Sequence, residues 1–130
     1  MTASPETLDA LNAAALAADA TGGDDMVALD VSDRLALADA FLLVTGRNER
    51  NVSAVANEVE DKLFEMGIKP LRREGRGEGR WVLIDFGGLI VHVFHEEDRL
   101  YYGLERLWGD CPVIPLPEGI GSRPTGDVVT

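Results

Sequence analysis

The chain has few of the residues that build cross-linked or metal-held folds. Its 130 residues include one cysteine, Cys111, and two histidines. A single cysteine excludes an internal disulfide framework and is typical of a reducing compartment. No apolar run approaches the roughly 20 residues of a membrane-spanning helix, and the start MTASPETLDA lacks the basic and apolar regions of a secretory signal. We therefore expect a cytoplasmic protein, and the length fits one domain.

Cations are also scarce, with 12 Lys and Arg residues against 23 Asp and Glu residues, a net charge of -11. Because nucleic-acid binding is normally led by clustered Lys and Arg, we expect little direct nucleic-acid contact. An acidic protein can still bind a basic protein within an RNA-rich particle, where complementary charge speeds the encounter. Taken alone, the charge is better explained as a way to keep the chain soluble.

Three segments have the residue pattern of helices. The alanine-rich segment Pro5–Ala20 follows Ser4, a good N-cap residue. A second helix is predicted from the end of Gly46-Arg47-Asn48 to about Met66, because its apolar residues recur every three or four positions. A third is predicted from Glu96 to Trp108, with acidic residues at the positive end of its dipole.

Five segments are predicted as strands: Met26–Val31, Ala40–Thr45, Ile68–Arg72, Trp81–Phe86 and Leu89–His95. The second is apolar throughout, which is typical of a strand buried on both faces. Pro70 places the third near an edge, and the segment Glu74–Gly79 is predicted as a flexible turn.

These elements predict an α/β (α+β) fold: a single domain with a mixed sheet of about five strands flanked by helices. The domain is expected to span residues 1–108. Residues 109–130 are rich in proline and glycine, and we expect a tail that is irregular and partly flexible.

Gly87-Gly88 joins the last two strands, and so short a loop sets their register. Alternation along the strands then sorts the side chains into two faces. One face is wholly apolar and belongs to the core: Val82, Ile84, Phe86, Leu89, Val91 and Val93. The other face is mixed: Trp81, Leu83, Asp85, Ile90, His92 and Phe94.

The mixed face has the composition of an interaction surface, because exposed aromatic and aliphatic residues rarely lie together on a solvent face. We expect these six residues to bind a partner, with Asp85 opposite a Lys or Arg. Tyr101, Tyr102 and Glu105 of the third helix are expected as flanking contacts. The alternative is that a helix of the same chain covers the face.

Signals for chemistry are weaker. His92 and His95 lie three residues apart on a strand, so they point to opposite faces and cannot hold one metal ion. Cys111 has no second thiol and no evident base. We therefore expect no catalytic residue, no metal and no cofactor. The turn Thr45–Asn48 is either an anion site beside Arg47 and Arg50, or simply an N-cap by Asn48, which is the simpler account.

The same residues resemble a known family. The matching positions, in order, are Leu29-Asp30-Val31-Ser32, Asp39, Phe41, Thr45-Gly46, Glu49-Arg50, Val52, Trp81-Val82-Leu83, Asp85, Gly87, Val91-His92-Val93-Phe94-His95-Glu96-Glu97, Arg99, Tyr101-Tyr102, Leu104-Glu105 and Leu107-Trp108. Together they resemble the ribosomal silencing factor family, also called Iojap-like. The resemblance runs from about Thr7 to Trp108 and is most specific from Trp81 onward.

The resemblance implies a translational repressor rather than an enzyme. Members bind the large ribosomal subunit through ribosomal protein fourteen (uL14), near the face that joins the small subunit. Bound there, they block subunit joining when nutrients are scarce. The resemblance also implies a nucleotidyltransferase-like topology without the catalytic site, and homodimers.

Two other functions remain open on the sequence. One is a nucleotidyltransferase-like enzyme that uses Asp30 and Asp33 with magnesium. The other is a homo-oligomeric scaffold in which the mixed hairpin face makes the dimer.

Overall fold

The structure is a computed structural model that describes residues 3–76, 80–97, 110–117 and 120. Within these residues the chain forms one mixed α+β domain. Its elements are α1 (Pro5–Ala20), β1 (Asp24–Asp30), β2 (Ala40–Gly46), α2 (Glu49–Glu65), β3 (Arg72–Arg76), β4 (Trp81–Asp85), β5 (Leu89–His95) and β6 (Val113–Ile114). No helix in the described ranges is long and apolar enough to cross a membrane.

Both helices begin where the sequence places their caps. The Ser4 hydroxyl accepts a hydrogen bond from the Thr7 amide at 3.2 Å, and the Asn48 side chain accepts one from the Asn51 amide at 2.8 Å. The Arg47 amide donates to the Asn51 side chain at 3.0 Å. Because these amides are bonded within the turn, the N-cap interpretation of Asn48 is confirmed.

The strands form one six-stranded sheet in the order β3-β4-β5-β2-β1-β6. β2 and β5 pair in parallel, and the other neighbouring strands are antiparallel. All seven residues of β2 are buried, as its uninterrupted apolar run predicts for a central strand. The prediction of a mixed sheet is confirmed, with six strands in place of about five.

The third predicted strand is displaced along the chain. The prediction of Ile68–Arg72 is wrong, because Arg72 already lies opposite Asp85, the last residue of β4, and earlier residues have no β4 residue to pair with. The Leu71 amide bonds the Asp85 carbonyl at 2.7 Å, and β3 then continues through Glu74 and Gly75, which were predicted as part of a turn. Its expected position at the sheet edge is confirmed.

The segment after residue 108 contributes to the sheet. Val113–Ile114 pair with β1, and the Pro112 carbonyl accepts a hydrogen bond from the Asp30 amide at 2.8 Å. The start of the predicted tail therefore packs back on the domain. Of the predicted helix Glu96–Trp108, the structure describes Glu96 and Glu97, both helical. Its other residues lie outside the described ranges.

The two helices pack on the same side of the sheet, which we call the helix face. This side holds the larger apolar cluster, with alanine side chains from α1, aliphatic side chains from α2, and Leu42, Ile84 and Val91 from the sheet. The opposite side, which we call the aromatic face, holds a second cluster around Phe41, Leu43 and Phe94.

Candidate docking surface

The hairpin of β4 and β5 has the register that its Gly-Gly loop predicts. Val82 pairs with Val93 and Ile84 with Val91, and all four are buried in the helix-face cluster. Trp81 pairs with Phe94, Leu83 with His92 and Asp85 with Ile90. These six residues share the aromatic face, so the sorting of the hairpin into two faces is confirmed.

Four rings are assembled on the aromatic face. The Trp81 ring is stacked beside Phe94, with centroids 6.2 Å apart, and beside His92, with centroids 6.1 Å apart. The His92 and Phe94 rings are stacked and nearly parallel, with an interplanar angle of 3° and centroids 6.0 Å apart. Phe41 of β2 meets His92 edge-on at 5.1 Å. The rings form a continuous platform, because adjacent strands bring alternate residues side by side.

Exposure differs sharply between the strands of this platform. On β5, Phe94 is 1% exposed and His92 is 6% exposed. On β4, Trp81, Leu83 and Asp85 are half-buried, as is Ile90 at the hairpin end of β5. The structure thus divides the six predicted contact residues into two that are enclosed, His92 and Phe94, and four that are half-buried. β5 lies inside the sheet, flanked by Phe41 and Leu43 of β2, whereas β4 lies nearer the edge.

The open part of the surface is therefore Trp81 and Leu83, with Asp85 and Ile90 at the hairpin end. His92 and Phe94 support Trp81 from the neighbouring strand through ring stacking. A contact between any of these residues and a partner stays a prediction.

His92 is an unusual member of the platform. Neither of its ring nitrogens has a hydrogen-bond partner among the described residues. Burial lowers the pKa of His92 from 6.5 to about 4, so the ring is neutral near pH 7. The neutral ring is the form that packs against Trp81 and Phe94 at least cost, since an unpaired buried charge is strongly disfavoured.

Asp85 already has partners within the hairpin. One carboxylate oxygen accepts a hydrogen bond from the Gly87 amide at 2.8 Å, and the other lies 3.5 Å from the Arg72 Nε. Gly87 has a φ of +99°, which favours glycine in this turn. The first contact of Asp85 is thus structural, because it holds the hairpin loop. Its expected ion pair with a partner stays a prediction.

Arg80 is a residue that sequence reasoning missed. Its guanidinium lies 3.4 Å from a Glu49 carboxylate oxygen at the start of α2 and 3.2 Å from one of Glu97. The Arg80 carbonyl accepts a hydrogen bond from the His95 amide at 2.9 Å. Arg80 therefore fixes the chain next to Trp81. Its position directly before the tryptophan was the available signal. Tyr101, Tyr102 and Glu105, the predicted flanking contacts, lie outside the described residues.

Asp30, which with Asp33 was the candidate magnesium site, has a structural role in the fold. One Asp30 carboxylate oxygen accepts hydrogen bonds from the Ser32 hydroxyl at 2.6 Å and the Ser32 amide at 3.0 Å, and the other accepts one from the Ala3 amide at 3.1 Å. Burial raises the pKa of Asp30, but these hydrogen bonds together outweigh it and lower the pKa below its ordinary value. Asp30 thus ties the chain before α1 to the end of β1.

Side chains that bind metals do not gather elsewhere in the part of the chain described above, where no three His, Cys, Asp or Glu residues are grouped. Cys111 is buried in the aromatic-face cluster. A cleft of about 190 Å³ lies on the other side, between α1 and the hairpin loop, and is lined by Glu6, Ile68 and Phe86 among others. It is smaller than most small-molecule sites, which occupy roughly 300–1,000 Å³.

Fold and surface together define an α+β protein with one helix-covered face and one aromatic face. Comparison with known proteins identifies the family to which this α+β protein belongs. A family model described as "Ribosomal silencing factor during starvation" matches residues 4–127. The chain belongs to this family, which is one of ribosome-associated regulators.

Individual relatives agree with the family assignment. The chain is 44% identical over 110 residues to the ribosomal silencing factor of Bacillus subtilis, covering 85% of this chain and 93% of the relative. A crystal structure from Bacillus halodurans matches with a TM-score of 0.74 at 39% identity, over 84% of this chain and 99% of that chain. A crystal structure from Chromobacterium violaceum matches with a TM-score of 0.77 at 34% identity, over 92% and 98%.

Proposed function

We propose that this protein binds the large ribosomal subunit through ribosomal protein uL14 and sterically blocks joining of the small subunit when nutrients are limited. Membership of the ribosomal silencing factor family is the observation that carries the proposal. The proposed place of action is the cytoplasm, where ribosomal subunits join.

The exposed part of the aromatic face supports this function. Trp81 and Leu83 are half-buried, and stacked rings hold Trp81 in one orientation. Tryptophan is enriched among the residues that dominate binding energy, and a fixed side chain loses little entropy when a partner covers it. The helix face is already closed by α1 and α2, so the aromatic face is the better docking surface of the sheet.

The net charge of the chain supports binding to a ribosomal protein on the ribosome. The chain has a net charge of -11, so RNA phosphates repel most of its surface, whereas a basic ribosomal protein attracts it. Complementary charge of this kind raises the association rate more than it strengthens the complex.

The mechanism needs no catalysis. A bound protein that occupies the joining surface excludes the small subunit by its volume, so repression depends on how long the complex lasts. A lifetime longer than the interval between subunit encounters is sufficient. A homodimer is compatible with this mechanism only if it leaves the exposed residues of β4 accessible.

Sedimentation of purified ribosomal subunits through sucrose gradients tests the proposal. Added to separated subunits, the protein should sediment with the large subunit and reduce the fraction of joined ribosomes. Trp81→Ala and Leu83→Asp, each first shown to be folded by circular dichroism, should lose both effects. If the unaltered protein never sediments with the large subunit, the proposed function is wrong.

A matched control is available on α1. Leu16 is an aliphatic residue that is 51% exposed on the helix side, so Leu16→Asp makes the same chemical change as Leu83→Asp away from the proposed surface. We expect Leu16→Asp to repress joining as the unaltered chain does. Equal loss of repression in both variants would contradict the assignment of the surface.

A further inference from the structure

The cations of this acidic chain are unevenly placed. The segment from Lys69 to Arg76 has four cations and one carboxylate, a net charge of +3 in a chain whose net charge is -11. The segment contains β3, which lies at one end of the sheet and pairs only with β4 among the described strands. The sheet therefore ends in a basic edge.

This basic edge is open to solvent. Lys69, Arg72, Arg73 and Glu74 are all exposed, and so is Gly75 between the charged positions. An edge strand also directs about half of its backbone N–H groups away from its single neighbour. The edge thus presents both side-chain cations and amide donors on one line.

The edge has two ion pairs between partly exposed side chains, and Arg72 also lies 3.5 Å from Asp85, whose side chain is 19% exposed. The Arg73 guanidinium lies 2.7 Å from a Glu60 carboxylate oxygen, and their side chains are 36% and 32% exposed. Arg72 lies 2.9 Å from Glu74, with both side chains at least half exposed. Exposed pairs of this kind contribute little to stability, so an external anion can compete for the same guanidinium groups.

The edge borders the proposed docking surface. Arg72 pairs with Asp85 and Glu74 pairs with Leu83, so these two β3 residues share the aromatic face with their β4 partners. A partner that covers Trp81 and Leu83 of β4 is therefore adjacent to the basic edge on β3. A basic ribosomal protein would be repelled there, whereas RNA would be attracted.

We propose that the basic edge of β3 contacts the phosphate backbone of ribosomal RNA beside the protein foothold. The inference rests on the proposed function and deepens it. An Arg guanidinium can bind a phosphate through two parallel N–H···O hydrogen bonds, and Lys adds a point charge. The rest of the acidic chain is repelled by RNA, so the edge also orients the protein as it approaches. The sequence predicts little direct contact with nucleic acid, and this proposal confines that contact to one strand, β3.

A second copy of the chain is a poorer occupant of this edge. If two β3 strands paired antiparallel about Glu74, Arg72 would lie opposite Arg76, and the two Glu74 residues would face each other. Like charges directly opposite each other destabilise a strand pair. The charge pattern of β3 therefore opposes self-association through this edge.

The experiment measures dissociation constants for the full chain against purified large subunits and against isolated uL14, between 50 and 200 mM KCl. In Lys69→Gln/Arg72→Gln, binding to the large subunit should weaken roughly tenfold at the low-salt end. The slope of log Kd against log salt should fall by about 1.5, since each lost phosphate contact removes about 0.7–0.9. Binding to isolated uL14 should stay within about twofold.

Arg47→Gln/Arg50→Gln is the matched control, because it removes two exposed arginines at the start of α2. It should leave the salt slope for the large subunit unchanged. Lys69→Gln alone, on an exposed residue before the strand, should give about half the change in slope and serves if the double variant does not fold.

Three results would overturn the RNA contact: an unchanged salt slope, an equal loss against isolated uL14, or an equal effect of the control pair. The second would mean that the edge binds the protein, and the third that only total charge matters. If the unaltered chain binds neither the large subunit nor uL14, the proposed function itself fails. That outcome differs from all three.

Discussion

The helix face and the aromatic face of the sheet are built from different side chains. The helix face is closed by alanine and aliphatic residues of α1 and α2, and most of its sheet residues are fully buried. The aromatic face holds four stacked or edge-on rings, and its exposure rises from β5 to β4. One face stabilises the domain, and the other leaves well-supported side chains available to a partner.

The largest difference should appear when one leucine is removed from each face. Leu42 is 0% exposed in the helix-face cluster, so Leu42→Ala should lower the free energy of unfolding by about 3 kcal/mol. Leu83 is half-buried, so Leu83→Ala should cost less than about 1 kcal/mol. Urea unfolding followed by circular dichroism measures both, and equal losses would contradict the division into two faces.

A pH effect of intermediate size should come from the aromatic face. His92 has a pKa of about 4 in the folded protein, below the 6.5 of an ordinary histidine. As the pH falls through 6.5, His92 becomes protonated in the unfolded chain but stays neutral in the folded chain. The free energy of unfolding therefore declines until about pH 4. Between pH 7.5 and pH 5 this residue should cost about 2 kcal/mol.

Replacing His92 isolates this effect from the other groups that titrate. His92→Phe keeps a ring in the platform and should lose about 2 kcal/mol less than the unaltered chain between the two pH values. Urea unfolding at pH 7.5 and pH 5 measures the difference. The same pH dependence in both proteins would show that His92 is not the group responsible.

The smallest expected effect concerns the attachment of α1 to the helix face. Asp30→Ala removes the acceptors for Ser32 and Ala3 and should lower the free energy of unfolding by about 1 kcal/mol. Magnesium and a nucleoside triphosphate should leave the melting temperature of the unaltered chain unchanged. A stabilisation by nucleotide that Asp30→Ala abolishes would instead support a nucleotidyltransferase-like enzyme.

Local sequence patterns predicted much of this fold, because the contacts that determine it join residues close together in the sequence. Ser4 and Asn48 cap their helices, and the Gly87-Gly88 loop sets the register of the hairpin. The position of β3 was not predictable from its own residues, because its start is set by Asp85, the end of its partner strand β4. β6 was missed because two residues in a proline-rich segment have no periodicity to detect.

The site was predicted only in part, since alternation sorts side chains by face but does not measure what covers them. Leu83 and Trp81 are half-buried, whereas His92 and Phe94 on the same face are enclosed. That difference depends on β2, which is distant in sequence and lies in parallel beside β5. The internal partners of Asp85 also depend on tertiary structure, because Arg72 comes from another strand.

Photo-crosslinking from the two faces tests the central claim most directly. A photoreactive residue at position 83 on the aromatic face, or at position 16 on the helix side, would be irradiated in the complex with the large subunit. We expect a crosslink to uL14 from position 83 and none from position 16. A crosslink to uL14 from position 16 alone, or from position 83 only to a second copy of this chain, would contradict it.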